Sequence, residues 1–153
     1  MRLSTSVGLD LRSIEHIGST AVPGLLAKPI VDIMVGVIPF PPSASWSAAV
    51  VVLGYEALGE AGVPGRLYFR QRGRVPCNVH VVEHGGAHWV SNLALRDYLR
   101  RSPEAAARYA SAKRAAIAAG ATTLLTYSEA KGRVIEALVS RALNRPGNRS
   151  DQA

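Results

Sequence analysis

The sequence predicts an α/β (α+β) domain: a mixed β-sheet with helices mainly on one face. Three observations carry that prediction. The first half holds short apolar runs broken by glycine and proline, a pattern of strands rather than helices. Within it, Ile30 to Val37 is apolar but for Asp32 and Gly36, as in a strand covered on both faces. The last half carries helix-start signals and helical spacing.

Taken in order, residues Met1 to Leu11 are weakly patterned, and the first strand is expected at Ile14–Ile17, ending in Gly18-Ser19-Thr20. A connection broken by Pro23, Gly24 and Pro29 leads to the second strand, Ile30–Val35. Pro39-Phe40-Pro41-Pro42 excludes a helix there. Ser43 to Leu53 has Trp46, Val50 and Leu53 at helical spacing, with Gly54 as a stop. Tyr55 to Leu58 is a brief strand, and Gly59 to Gly65 is turn-rich. Arg66–Arg70 and Pro76–Val82 flank Gly73 and read as a hairpin.

Helices follow. Ala87–Arg101 places Trp89 and Leu93 on one side. Ser102-Pro103-Glu104 supplies a capping hydroxyl, a proline for the first helical position and an acid in the first turn of a helix reaching Gly120. Thr126 to Glu129 fits a capping box for a final helix whose apolar face is Val134, Ile135, Leu138 and Val139. Residues 144–153 are polar and contain Pro146-Gly147, so a disordered tail is expected after one domain over residues 1–143.

At 153 residues the chain is long enough for a real core. No apolar run reaches the length of a membrane span, and no signal peptide is visible at the start. The single cysteine, Cys77, excludes an internal disulfide, and a cytoplasmic location is expected. Lysine and arginine number 18 against 11 acids, a net charge of +7. That excess favours anionic partners: a nucleotide, a phosphorylated small molecule or RNA.

Asp32 is the residue that most needs explaining, because an acid inside an apolar strand must be paired, protonated or bound to a cation. Gly18 permits positive φ and close approach of a ligand, and Ser19 and Thr20 add hydroxyls, which together suit a phosphate. A plain tight turn with Ser19 as a cap is the competing interpretation. Residues two apart share a strand face, so Ile30, Asp32 and Met34 point one way, as do Asn78, His80 and Val82. If those strands are neighbours, Asp32 and His80 meet. Elsewhere the ordinary roles lead. His16 beside Glu15 is a strand-end pair, His84 and His88 are solvated loop residues, and Arg96 with Asp97 ties a helix to a loop. Tyr109 with Lys113 and Tyr127 with Lys131 are common one-turn pairs.

The segment Glu15-His16-Ile17-Gly18-Ser19-Thr20-Ala21-Val22-Pro23-Gly24, followed by Lys28-Pro29-Ile30 and Asp32, resembles the hallmark of the GrpB-like family. Asn78 to Val82, Leu95 to Arg100, Tyr109 with Lys113 and Tyr127 with Lys131 fit the same family, over about Ile14 to Leu143. The glycine-serine turn followed by an acid is similar to the opening signature of the polymerase-β-like nucleotidyltransferase superfamily. That resemblance implies a nucleotidyltransferase-like fold. It further implies Asp32 as ligand of Mg2+ or Mn2+, and Asp32 and His80 as catalytic residues. Gly18, Ser19, Thr20, Lys28 and His16 would meet phosphates, and Arg96, Lys113 and Lys131 match basic positions of the family. It also implies an N-terminal helix that residues 1–11 do not supply. One departure stands out: the superfamily's second acid is replaced by Met34, a poor exchange for hard cations. Three activities therefore remain in view: metal-dependent nucleotidyl transfer, a catalytically degenerate nucleotide- or RNA-binding module, and a hydrolase using His16 or His80.

Overall fold

A computed structural model describes residues 10–120 and 124–144, with the backbone alone over 10–13 and 124–131. The C-terminal tail expected over 144–153 lies outside the described residues beyond 144. The described chain forms two compact units, one up to Ala21 and from Ala27 to Val90, the other Val22–Leu26 and from Ser91 onward.

The first unit is a five-stranded sheet. Its strands are β1 (Asp10–Ile17), β2 (Val31–Ile38), β3 (Glu56–Ala57), β4 (Leu67–Gln71) and β5 (Cys77–Glu83), in spatial order β1-β2-β5-β4-β3. β2 runs parallel to β5 and every other pair is antiparallel, so the sheet is mixed as expected. The near-continuous apolar sequence of β2 follows from its central place: Met34 and Val37 are both 0% exposed. β1 is longer than the apolar run Ile14–Ile17 suggests, since ladder bonding continues past a register shift between Leu11 and Ser13.

Alternation along the strands gives the two faces different jobs. On one, helix α1 (Ala44–Val52) lays Trp46 and Val50 against Val35, Val37, Phe69 and Val81. Trp46 meets Phe69 edge-on at 6.1 Å, and Ser43 caps the helix by accepting from the Trp46 amide at 3.3 Å. Leu53, expected on this apolar stripe, is instead the 53%-exposed residue that ends the helix. The other face carries Asp32, Met34 and Gly36 beside Asn78, His80 and Val82. There Trp89, near the start of helix α2 (Ala87–Arg101), lies over Gly36.

The second unit is helical. The later part of α2 packs with α3 (Pro103–Ala118) and α4 (Leu124–Leu143) around Ala94, Tyr98, Leu99, Ala105, Tyr109, Leu138 and Ala142, joined by Val22. The start signal at Ser102 is used as expected: its hydroxyl accepts from the Ala105 amide, Pro103 follows, and Glu104 pairs with Arg108 one turn on. α4 begins at Leu124, so Thr126 falls inside the helix rather than at its cap. Among the described residues no helix is long and apolar enough to cross a membrane.

Gly36 is required for space rather than for backbone freedom. A Cβ there would sit 2.7 Å from the Trp89 ring and 2.9 Å from His84. Gly36→Ala should therefore lower stability by about 1–3 kcal/mol through overpacking, with a changed tryptophan emission. Chemical denaturation checks this, and an unchanged midpoint would show that Trp89 does not pack on β2.

Candidate functional site

The site grows from one charge on the central strand. Asp32 is paired with Asn78 across the parallel β2–β5 ladder, and His80 lies two residues further along the same face. Both reach one carboxylate oxygen: Asn78 Nδ2 donates to Asp32 Oδ1 at 2.9 Å, and His80 Nε2 lies 3.0 Å from the same atom. The Asp32 side chain is 26% exposed, so this acid is neither sealed in nor fully solvated. Two donors on one oxygen offset the cost of placing a carboxylate on this strand.

His80 is held from its other side as well. Arg66, just before β4, brings Nη1 to His80 Nδ1 at 3.4 Å. A guanidinium only donates, so Nδ1 accepts and Nε2 carries the hydrogen given to Asp32. The neutral Nε2–H form is the one that satisfies both neighbours. Tyr68, opposite His80 on β4, packs edge-on against the imidazole at 5.1 Å and lies under the Arg66 guanidinium at 4.9 Å. Arg66 Nη2 donates to the carbonyls of Glu60 and Ala61, which fixes the fork against the 59–65 loop.

Burial and the Asp32 charge set the electrostatics. Burial pushes the Tyr68 phenol above its ordinary value, and the neighbouring carboxylate adds to the rise. The Cys77 thiol is raised by the same two causes in the same order. Burial pulls the Arg66 guanidinium below its ordinary value, which Tyr68 and Asp32 partly counter. Among the described residues of this cluster, two buried polar atoms have no hydrogen-bond partner: Asn78 Oδ1 and Arg66 Nε.

The glycine-serine turn abuts this cluster. Ile17 is paired with Asp32, so β1 delivers Gly18 directly beside the carboxylate. Gly18 has φ +73°, and a Cβ there would fall 2.8 Å from Asp32 Oδ2. The room left by the missing side chain is thus filled by Asp32 itself. Ser19 is 6% exposed within a short 3-10 turn, while Thr20 is partly open. His16 pairs with Ile33, which places it on the face opposite Asp32, where its Nε2 meets Thr20 Oγ1 at 2.9 Å. Lys28 is exposed on the loop entering β2.

The remaining sequence candidates have local partners. In the second unit Arg96 Nε donates to Asp97 at 2.9 Å, and the Lys113 ammonium lies over the Tyr109 ring at 5.8 Å. The Lys131 and Tyr127 side chains lie outside the described residues. His84 and His88, expected as solvated loop residues, are partly exposed and each has a defined neighbour. His84 packs on the Trp89 ring at 4.7 Å, and His88 Nε2 donates to the Pro64 carbonyl at 2.6 Å. Arg66 and Tyr68 are the site residues that sequence reasoning missed; the alternation Arg66, Tyr68, Arg70 was visible, but not which face of the hairpin met His80.

The donor set does not fit two hard cations. Among the described residues Asp32 is the lone carboxylate of the cluster and no three metal-binding side chains converge, and the second acid's position is the fully buried Met34.

Comparison with known proteins places the chain in context. The family described as GrpB protein matches residues 1–141. A UPF0157 protein of Streptomyces coelicolor is 40% identical over 141 residues, covering 92% of this chain and 74% of that one. The UPF0157 protein YqkA of Bacillus subtilis is 34% identical over 131 residues, and the chain spans 38% of its length. The crystal structure of conserved protein GrpB from Enterococcus faecalis aligns with a TM-score of 0.71 at 28% identity, over 92% of this chain and 86% of that one. The mixed sheet with four helices is borne out by that likeness.

Gly18 and Asp32 should be energetically coupled. Gly18→Ala should cost roughly 1–2 kcal/mol from its left-handed backbone alone, and more from the collision with Oδ2. Combining it with Asp32→Ala should relieve the collision, so the double variant loses less than the two singles together. Denaturation of the four proteins measures this, and strict additivity would show the turn and the carboxylate to be independent.

Proposed function

The chain belongs to the GrpB family, and from the geometry of its site we propose that it binds a nucleotide as a complex with one divalent cation. The fold on which it does so is nucleotidyltransferase-like, and Asp32 is the carboxylate that meets the cation. The observation that carries this is a single, partly exposed acid gripped on one oxygen by Asn78 and His80, beside a glycine turn.

Chemistry favours a cation shared with the ligand. Magnesium keeps several waters and is commonly held by one or two carboxylates together with substrate phosphates. A lone Asp32 is adequate for that arrangement and inadequate for a protein-only cage. Without a cation, Asp32 would repel a phosphate brought close to it. A bound cation would supply charge neutralisation at the phosphates. Lys28, exposed on the loop entering β2, is the group of this unit best placed by exposure to meet the remaining phosphate oxygens. Nucleotidyl transfer, with Asp32 and His80 at the reacting group, is the finer form of the same proposal. Met34 in the second acid's place weighs against a two-cation version of it.

The net charge of +7 supports a second possibility, a catalytically degenerate nucleotide- or RNA-binding module. Calorimetric titration with a nucleoside triphosphate, with and without magnesium or manganese, separates the two. Cation-shared binding should be roughly tenfold or more tighter with the metal, and Asp32→Asn should erase that difference in a protein that still folds. Equal affinity with and without metal would reject the role given to Asp32. Affinity for unrelated RNAs that collapses with salt would instead point to a nucleic-acid surface.

A further inference from the structure

We propose that Arg66 is an anion anchor of the Asp32 site, taking a second phosphate of a di- or triphosphate ligand. This rests on the binding function proposed above and names the part of the ligand that Arg66 would recognise.

A half-buried guanidinium normally has a carboxylate for company, because an uncompensated buried charge is costly. Among the described residues, none of the groups that contact Arg66 is a carboxylate. They are the His80 imidazole, the carbonyls of Glu60 and Ala61, and the face of Tyr68, all neutral. The acid nearest in sequence, Glu60, turns its carboxylate to the Gly65 amide at 3.2 Å instead. Asp32 lies beyond the imidazole, over contacts of 3.0 and 3.4 Å on either side of the ring, and its charge acts on Arg66 from there. Arg66 Nε, meanwhile, is a buried donor with no acceptor. The guanidinium as a whole is only partly buried, and a cation held in place by neutral groups is oriented in advance for an anion.

Its position specifies which anion. Asp32 and Arg66 stand on one sheet face with a single imidazole between them. A ligand that shares a cation with Asp32 through one phosphate would offer its next phosphate to Arg66. A monophosphate could serve only one of the two groups. The ligand class is therefore a polyphosphate, and Arg66 is the residue that tells it from a monophosphate. The loop that orients Arg66 is itself tethered, since His88 donates to the Pro64 carbonyl at 2.6 Å, so the fork is set before any ligand arrives.

The test uses the full chain, with inorganic pyrophosphate and the nucleoside mono- and triphosphates as probes. Arg66→Gln and Arg66→Lys are compared with wild type by thermal shift and calorimetry. Wild type should be stabilised by pyrophosphate. Arg66→Gln should bind pyrophosphate and the triphosphate roughly 10- to 100-fold more weakly, with the monophosphate little affected. Arg66→Lys, which keeps the charge and loses the fork, should fall between; it carries the test if Arg66→Gln does not fold. A lower melting temperature with undiminished pyrophosphate binding would overturn the proposal and leave Arg66 as a loop tether. Absence of pyrophosphate binding by wild type would overturn it as well. If wild type binds pyrophosphate through Arg66 but shows no cation-dependent nucleotide binding, the anchor stands and the nucleotide proposal fails.

Discussion

The structure depends on how one carboxylate is accommodated in an apolar strand. Asp32 sits on β2, between partners on both sides of the sheet, where an unpaired charge would be expensive. The solution is local and directional: two donors from β5 converge on one oxygen, and the second oxygen lies against Gly18. The parallel pairing of β2 with β5 makes this possible, because it puts Asn78 level with Asp32 and His80 two residues on. Arg66 then completes the line from the far side of the imidazole. Each participant limits the next: the donor-only guanidinium fixes the ring tautomer, and the ring supplies the hydrogen for Asp32.

The same constraint explains what the site lacks. A second acid at position 34 would lie on the same strand face, at a place that is 0% exposed and opposite His80. Methionine there fills volume and needs no partner. The site has thus been built around a single acid supported by neutral hydrogen bonds, not around a pair of acids supported by cations. Gly18 belongs to that design through shape. Its open side is closed by Asp32, so the turn and the acid form one unit.

Much of this was legible in the sequence because the signals were local. Asp32 stands out as the only charge in an apolar strand, Asn78 and His80 alternate correctly on theirs, and Ser102-Pro103-Glu104 marks its helix unambiguously. What was not legible depends on register and loop path. The hairpin places Tyr68 against His80, and the 59–65 loop, with Ala61 at φ 48°, folds so that its carbonyls hold Arg66. Neither is encoded in residue spacing. The family resemblance groups His16 with the phosphate turn, yet β1–β2 pairing sends it to the opposite face. The neighbouring glycines predict a loop histidine at position 88, and only the folded loop brings Pro64 within its reach.

The role proposed for Asp32 is that of a one-cation carboxylate. The most direct measurement is a crystal structure with manganese and a non-hydrolysable nucleoside triphosphate, collected at a wavelength where manganese scatters anomalously. One anomalous peak within roughly 2–2.5 Å of an Asp32 oxygen, shared with ligand phosphate, is the result predicted. Two peaks bridged by Asp32, or a bound nucleotide with no metal at Asp32, would contradict it.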